Sequence, residues 1–423
     1  MNNMKVLIVG SGGREHALAW KIAQSPLVDK LYCAPGNGGI AALAQCIPIK
    51  AMDIEAMTAF AKSEEIDLVM VAPDDPLAAG MVDALEKAGV RAFGPTKNAA
   101  IIESSKSFSK ELMKKYGLPT AAYEVFEEQD AAIAYLADAR FPIVVKADGL
   151  ALGKGVVIAQ NYDEAVRAVR DMMSDKVFGT AGDRIVIEEF LVGPEVSILA
   201  FTDGKTVVPM VSSQDHKRAL DNDMGLNTGG MGTFSPSRLY TEELHSYCID
   251  NIYIPTIKAM NAEGRKFKGV IYFGLILTDD GPKVLEYNAR FGDPETQVVL
   301  TRLKTDLVEI FDAIIDERLD SVKIEWEDNA AVCVILASGG YPGKYTTGIE
   351  ISGLAEAEQD PAVVVFHAGT KLEDGKYYTA GGRVLGVTAV AETMDSAREK
   401  AYAAVGKISF EGMHYRRDIG VKK

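Results

Sequence analysis

The chain has 423 residues, of which 48% are hydrophobic and 25% are charged, and this composition indicates a folded protein of several domains. Its formal net charge of -15 argues against nucleic acid as a partner, because a phosphate-rich polymer would be repelled. No apolar segment approaches the roughly 20 residues that span a bilayer, so no membrane association is expected. The four cysteines are isolated, which predicts reduced thiols in a cytoplasmic protein.

The amino-terminal part alternates short β-branched strands with helical segments between residues 5 and 96. This alternation predicts a parallel sheet with helices on both faces. The loops that follow the strands, near Gly10, Pro35 and Pro73, should then share the carboxyl edge of the sheet, where open α/β sheets bind ligands.

The pattern changes at Glu103, where serines precede a helical stripe that ends at Gly117. The following residues, about 121–192, predict a small α+β lid. Two hairpins are expected at Asp203-Gly204 and Asp280-Gly281. Between them, residues 214–238 have little periodicity, and loops of this length are usually functional or disordered. The last part is rich in strands and is predicted to finish with one amphipathic helix near residues 394–405. The predicted domains are residues 1–102, 103–323 and 324–423.

The segment VVKADGLALGKGVVIA, Val144 to Ala159, places a glycine-rich turn between two β-branched runs. It is not a P-loop, because the spacing from Gly149 to Lys154 is one residue short and Gly155 replaces the required hydroxyl. It is not a dinucleotide fingerprint either, since the chain is extended after Gly155. A β-hairpin flap remains, whose N–H groups and lysines could close over a nucleotide.

Oxygen ligands for a metal are suggested by the strand KVLEYNARF, where Glu286, Asn288 and Arg290 share one face and Leu285 and Tyr287 the other. A carboxylate beside an amide oxygen suits Mg²⁺, which completes its shell with phosphates and water. A solvated polar face on an edge strand explains the same pattern, and this segment alone does not decide between the two.

Phosphate contacts are predicted for lysines in three segments, Lys106, Lys146 and Lys154. Taken alone, each of them is better explained as a solvated surface charge, except Lys146, which lies within an apolar strand. The connector IVIEEFLVGPE could offer backbone groups to adenine and a carboxylate to ribose, although a charged loop accounts for its glutamates.

In GSGGREHA, the amino-terminal glycines precede a helix and can form an anion site. Glu15 stands where the third glycine of a dinucleotide fingerprint belongs, so a dehydrogenase is disfavoured. A sugar phosphate would fit at this helix.

A family resemblance emerges when the segments are taken in order: GSGGREHALAW, APGN, GPT, VVKADGLALGKGV, IVIEEFLVGPE, SQDHKR, NTGGMG, YNARFGDPETQ, HAGT and GGRVLGVTA. From Lys5 to Gly420 the chain resembles the phosphoribosylamine-glycine ligase, or glycinamide ribonucleotide synthetase, family of the ATP-grasp superfamily. The resemblance implies an α/β and α+β multidomain protein: an N-terminal parallel-sheet α/β domain, an ATP-grasp core with a mobile lid and a strand-rich C-terminal domain. It also implies ATP-dependent ligation of glycine to 5-phosphoribosylamine in purine biosynthesis, with Mg²⁺ or Mn²⁺, by a monomer or homodimer.

The resemblance also implies roles for individual residues. Metal would be held by Glu286 and Asn288, and Lys146, Arg290 and Asp215 would be catalytic. The nucleotide would contact Lys106, Lys146, Gly153, Lys154, Gly155, Glu188, Glu189, Phe190, Leu191 and Glu195. The other substrates would face Gly12, Gly13, Arg14, Glu15, Asn37, Asp74, Asp215, Lys217, Arg290, Gly292 and Asp293.

One segment departs from the family pattern: Ala72-Pro73-Asp74 stands where Gly-Pro-Glu is usual. The carboxylate is one methylene shorter, so its contact to the amine substrate needs a water or a small shift. Two alternatives follow: another ATP-grasp carboxylate-amine ligase, or a nucleotide-binding regulator without turnover.

Overall fold

The computed structural model describes residues 4–150 and 155–421. Its first unit is a five-stranded parallel sheet in the order β3-β2-β1-β4-β5, with helices on both faces, as predicted. Val6, Leu7, Ile8 and Val9 are buried because β1 is central and covered on both sides. The strands are β1 Met4–Gly10, β2 Val28–Pro35, β3 Gln45–Cys46, β4 Leu68–Val71 and β5 Ala92–Phe93. The helices are α1 Gly13–Ile22, α2 Ile54–Ser63, α3 Asp74–Ala79, α4 Met81–Lys87 and α5 Lys97–Ser104.

A helix and a small α+β unit follow. The antiparallel sheet of this lid has the order β6-β9-β7-β8, and the glycine-rich segment forms the predicted β7–β8 hairpin. The hairpin tip, including Gly153 and Lys154, lies outside the described residues. The elements are α6 Lys106–Tyr116, β6 Tyr123–Phe126, α7 Gln129–Leu136, β7 Ile143–Ala147, β8 Val156–Ala159, α8 Tyr162–Met173 and β9 Ile185–Glu189.

The base beneath the lid is an antiparallel sheet in the order β11-β10-β16-β17. Both hairpins predicted from Asp-Gly pairs are present in it, at Asp203-Gly204 and Asp280-Gly281. Its strands are β10 Glu195–Thr202, β11 Val207–Pro209, β16 Gly269–Thr278 and β17 Gly281–Asn288. Its helices are α9 Glu242–Cys248, α10 Ile254–Ala262, α11 Glu295–Leu300 and α12 Leu307–Ile315, with a π-helical turn at Ile249–Tyr253.

The expectation of a long irregular loop at residues 214–238 is wrong, since this segment contains four short strands. They are β12 Gln214–Asp215, β13 Arg218–Leu220, β14 Met224–Asn227 and β15 Gly232–Ser235. β13 and β14 form a hairpin, whereas β12 and β15 join the sheet of the C-terminal unit. The local pattern does not reveal these strands because each is only two to four residues long, and β15 pairs with β18, which is remote in sequence.

The C-terminal unit has a sheet in the order β12-β15-β18-β23-β20 and a smaller sheet, β19-β22-β21. The amphipathic final helix predicted near residues 394–405 is present and packs on the larger sheet. The strands are β18 Ala330–Ala337, β19 Glu350–Ile351, β20 Val363–His367, β21 Thr370–Glu373, β22 Lys376–Thr379 and β23 Arg383–Ala391. The helices are α13 Leu354–Ala357 and α14 Met394–Val405.

Apolar packing joins the first unit to the base. Phe93 of β5 stacks on Phe311 of α12 with ring centroids 3.9 Å apart, and Phe311 also meets Phe291. The same apolar cluster continues into β16, so the carboxyl edge of the first sheet is held against the end of β17. Within the described ranges, no helix combines the length and the apolar composition that crossing a membrane requires.

Candidate active site

Two glycine-bearing loops meet where β1 and β17 end. A Cβ on Gly12 would lie 2.7 Å from a carboxylate oxygen of Glu15 and 3.5 Å from Oδ2 of Asp293. A Cβ on Gly13 would lie 2.7 Å from Nε2 of Gln297. Only glycine permits this approach, because real Cβ atoms do not tolerate such short contacts. The first loop is thereby brought against the segment that follows β17.

Glu15 and Arg14 stabilise this junction. Oε1 of Glu15 accepts a 2.6 Å bond from Nε of Arg14, and Oε2 accepts the N–H of Gly12. Arg14 also donates from Nη1 to the carbonyl of Phe291 at 3.2 Å. Both carboxylate oxygens of Glu15 therefore already have partners within the protein, which explains why a glutamate occupies this helix start.

Arg290 is the cation at the centre of the cleft. Its Nη2 lies 3.0 Å from Oε1 of Glu103 and 2.9 Å from Oδ1 of Asn288, while Nη1 donates to Phe291. Its buried Nε has no hydrogen-bond partner among the described residues. A buried N–H without an acceptor is costly, so this edge of the guanidinium is suited to a ligand anion.

Glu103 was not predicted as a site residue. Its Oε2 accepts the N–H of Ala289 at 2.7 Å, so it holds both the backbone and the guanidinium of the segment after β17. Burial raises the pKa of Glu103 to about 7, while Arg290 acts in the opposite direction. No sequence pattern points to it, because a single glutamate at a helix end is ordinary.

Asp74, the shortened carboxylate, belongs to the same cluster. It begins α3 at the carboxyl edge of the first sheet. Burial opposes its ionisation, but Arg290 and Arg14 outweigh burial and hold the pKa of Asp74 below its usual value. The shorter side chain is therefore close enough to both cations to be ionised.

The C-terminal unit contributes Arg383, at the start of β23, to the cleft. Its Nη2 lies 3.1 Å from Oδ2 of Asp293, and its Nη1 donates to the carbonyl of Asp293 at 2.7 Å. Gln297 binds the other carboxylate oxygen at 2.9 Å. Burial opposes ionisation of Asp293, yet Arg383 and Arg14 lower its pKa. The segment GGRVLG carries part of the family resemblance, but the pattern does not predict its arginine as a site residue.

Asp215 lies beside the segment between β14 and β15. A Cβ on Gly230, whose φ is +114°, would lie 2.8 Å from Oδ1 of Asp215. That oxygen accepts the N–H of His216 at 2.6 Å. Arg383 also donates to the carbonyl of Gly229 at 2.6 Å, in the segment beside Asp215. Arg383 therefore connects Asp293 with the segment beside Asp215, and both carboxylates lie on the same side of the cleft.

On the nucleotide side, Lys217 lies between two carboxylates. Its Nζ is 3.3 Å from Oε1 of Glu286 and 3.4 Å from Oε2 of Glu195. Lys217 lowers the pKa of Glu286 to about 2; burial opposes this, and Lys146 and Lys106 reinforce it. The pKa of Lys217 is raised well above its usual value, chiefly by Glu286. Lys217, which is predicted to face the substrates, thus contacts both Glu195, predicted to bind ribose, and Glu286, predicted to bind the metal.

Of the three lysines predicted to bind phosphate, Lys106 on α6 and Lys146 on β7 approach Glu286. Lys106 donates to the carbonyl of Gly149 at 2.9 Å, and Lys146 donates to the carbonyl of Leu285 at 3.3 Å. Burial lowers the pKa of Lys106, while Glu286 opposes that shift. Their positive charge converges on the carboxylate face of β17, as a phosphate site requires.

Glu286 and Asn288 fit a magnesium site by their donor atoms. They lie two residues apart on β17, and Gly274 on β16 leaves the space that the Glu286 side chain occupies, since a Cβ there would lie 2.9 Å from its Cγ. In the described part of the chain, no group of three or more histidine, cysteine, aspartate or glutamate side chains is arranged to hold a metal. A metal here would take two protein oxygens and complete its shell from phosphates and water.

The remaining predicted residues are used in different ways. Asn37 donates to the carbonyls of Ser11 and His367 and accepts from Gly39 and Ile40, so its whole side chain supports the loop. Glu189 accepts the N–H of Ala122 at 2.9 Å. Exposure differs among the rest: Phe190 is exposed, Leu191 is half-buried, and Gly155 and Gly292 are buried.

The lid sheet and the base sheet, with lysines and carboxylates suited to a nucleotide and its metal between them, define an ATP-grasp protein. The same fold is shared with biotin carboxylase from Campylobacter jejuni, solved in a β,γ-ATP complex, at a TM-score of 0.75 and 16% identity over 97% of this chain and 92% of that one. Three family models match the chain: the N domain of phosphoribosylglycinamide synthetase at residues 4–103, its ATP-grasp (A) domain at 104–296 and its C domain at 331–422. The chain belongs to the phosphoribosylglycinamide synthetase family.

The sequences of related proteins align with this chain over nearly its whole length. The phosphoribosylamine-glycine ligase of Halalkalibacterium halodurans is 50% identical, covering 99% of this chain and 97% of that protein. The enzyme of the same name from Salmonella typhi is 50% identical, with 99% and 98% covered. The crystal structure of phosphoribosylamine-glycine ligase from Thermotoga maritima superposes with a TM-score of 0.85 at 33% identity, covering 98% of this chain and 100% of that one.

Proposed function

We propose that this protein ligates glycine to 5-phosphoribosylamine with ATP, giving glycinamide ribonucleotide, ADP and phosphate in purine biosynthesis. The observation that supports this most strongly is the arrangement of charge in one cleft. The guanidinium of Arg290, whose buried Nε–H has no acceptor in the described part of the chain, lies two residues from Asn288 and four from Glu286, the carboxylate on which the lysines converge. A carboxylate bound to that guanidinium would be adjacent to a transferable phosphate.

The residue roles follow from this arrangement. We assign the carboxylate of glycine to Arg290, and the nucleotide phosphates to Lys106 and Lys146. The phosphoryl group would pass to glycine to form glycyl phosphate, and the amine would then displace phosphate. In such transfers the protein chiefly orients groups and neutralises charge. Mg²⁺ or Mn²⁺, held by Glu286 and Asn288, would supply neutralisation of phosphate charge.

The amine substrate requires an anion site and hydrogen-bond acceptors. We assign its phosphate to the N–H of Gly13, at the start of α1, with Arg14, because the N–H of Gly12 already donates to Glu15. We assign its amine and hydroxyl groups to Asp74, Asp215 and Asp293. The glycine-rich flap would exclude water, which protects an acyl phosphate from hydrolysis.

The direct test is ADP release from Mg-ATP and glycine, with and without phosphoribosylamine generated from ribose 5-phosphate and ammonia. Release that requires both substrates, with glycinamide ribonucleotide detected by mass spectrometry, is the expected result. ADP release with a different acid or amine would replace this proposal by another ATP-grasp ligase activity. ATP binding without any release would instead identify a regulator.

A further inference from the structure

Glu188 faces the cleft between the lid sheet and the base. In the pairing of β7 with β9, Val144 lies opposite Glu188 and Lys146 opposite Val186, so these four side chains share one face of the lid sheet. Val145 and Ile187 are on the other face, in the apolar core under α7 and α8. The carboxylate of Glu188 therefore points away from the core of the lid.

The hydrogen bonds of Glu188 are unequally distributed. Its Oε2 lies 3.0 Å from Nζ of Lys146 and 3.0 Å from Nζ of Lys110. Its Oε1 is buried and has no partner in the part of the chain that the structure describes, and the side chain is only 2% exposed. A buried acceptor without a donor is destabilising, so this oxygen is suited to an N–H group of a ligand.

Lys110 differs from the other two lysines of the site because it does not reach the cleft. Its side chain is 2% exposed, and it donates to Oγ1 of Thr120 at 2.7 Å, which in turn donates to the carbonyl of Val284. Burial lowers the pKa of Lys110 to about 8, and Glu188 opposes this shift. Lys146, in contrast, extends to the carbonyl of Leu285, next to Glu286.

This difference gives the two lysines separate tasks. Lys146 can share its N–H donors with a phosphate in the cleft, whereas Lys110 has no contact there among the described residues and stays as the cation that neutralises the buried carboxylate. Because Thr120 fixes Nζ of Lys110, the bond to Oε2 also fixes the rotation of the carboxylate. Oε1 then keeps one direction while the phosphate contacts change.

We propose that Lys110 is a positioning residue for the nucleotide base, which holds Oε1 of Glu188 as the acceptor of the exocyclic amine of adenine. A base with a carbonyl at that position would place two acceptors together in a buried site, and such mismatches are strongly rejected. The inference rests on the proposed nucleotide site, and it makes Lys110 a determinant of selectivity for adenine over hypoxanthine.

The test compares the binding of ADP and IDP, which differ at this position of the base, to wild type and Lys110→Met by calorimetry. We expect the variant to bind ADP about tenfold more weakly and IDP almost unchanged, because one charge-assisted contact is lost. In turnover, KM for ATP should rise while kcat stays near the wild-type value. The matched control is Lys114→Met, an exposed lysine one turn along α6 near the same Tyr123 ring, which should leave both affinities unchanged.

A second variant covers the case in which Lys110→Met does not fold. Glu188→Gln preserves the side-chain volume and should abolish the preference for ADP, since its amide can donate to the carbonyl of hypoxanthine. Equal weakening of ADP and IDP in Lys110→Met, or wild type that binds both equally, would overturn the inference. Nucleotide binding is measured without glycine or phosphoribosylamine, so a failure of the proposed ligase reaction is distinguished from a failure of this inference.

Discussion

At the scale of single residues, the cleft is organised by charge. Glu286 is about two-fifths exposed to the cleft, yet its pKa is lowered to about 2 because Lys217 lies 3.3 Å away and Lys146 and Lys106 add to its effect. A carboxylate with this pKa is ionised at every physiological pH. It is therefore available to a cation whenever the nucleotide arrives.

We expect Glu286→Gln to lower turnover by about a hundredfold or more, because an amide is a weaker metal ligand and cannot balance Lys217. The measurement is ADP release at saturating glycine over a range of Mg²⁺ concentrations. Asp280→Asn, on the exposed turn of the same hairpin, is the control and should keep the wild-type rate. A Glu286→Gln enzyme with the wild-type dependence on Mg²⁺ would contradict the metal assignment.

At the scale of elements, α6 carries Lys106 and Lys110, two of the lysines on the nucleotide side, and has well-defined ends. Ser105 caps its amino end by accepting the N–H of Phe108, and Gly117 ends it with a φ of +68°. The two ends determine the register of the helix and hence the directions of Lys106 and Lys110. A Cβ added at Gly117 would have no other atom within 4 Å beyond its chain neighbours, so an alanine side chain would meet no steric obstacle there.

Gly117→Ala should lower the free energy of unfolding by about 1 kcal/mol, because alanine is disfavoured in the left-handed conformation. Turnover should stay unchanged, since no contact is made at that position. Gly406→Ala is the matched control: this glycine ends α14 with a φ of -63°, so alanine should be neutral or stabilising. Thermal unfolding of both variants is the measurement, and equal effects would show that backbone conformation is not the cause.

At the scale of the whole molecule, histidines join the first and last units. Nδ1 of His16 accepts the N–H of His367 at 2.7 Å, and the His367 ring lies 3.0 Å from Oγ1 of Thr370. Both rings are buried. Burial, with the neighbouring His367, lowers the pKa of His16 to about 3, and burial lowers the pKa of His367 to about 4.

Acid should therefore loosen this interface. A histidine with a lowered folded-state pKa contributes its full stability above pH 6.5, and that stability is lost as pH falls toward the folded value, because the unfolded chain binds the proton first. The loss is up to about 2 kcal/mol per histidine by pH 5. His16→Asn should reduce the fall in Tm between pH 7 and pH 5, whereas His245→Asn, on α9, should not. Identical pH dependence of wild type and His16→Asn would exclude this source of acid sensitivity.

Local patterns predicted much of the fold. The parallel sheet, the β7–β8 hairpin, both Asp-Gly turns and the final helix follow from periodicity and turn residues, whose effects act over a few positions. Residues 214–238 failed this test because β12 and β15 pair with each other and β15 with β18, which is remote in sequence. No short window contains that information.

The sequence by itself determined the family, the order of the elements outside residues 214–238 and the residue types needed for phosphate and metal chemistry. Only the tertiary structure decided which of those residues meet: Glu103 with Arg290, Arg383 with Asp293 and Lys110 with Glu188. The physical reason is distance along the chain. Each of these pairs is formed by burial of elements from different domains or sheets, where a charge needs a partner, and no spacing rule within one element specifies that partner.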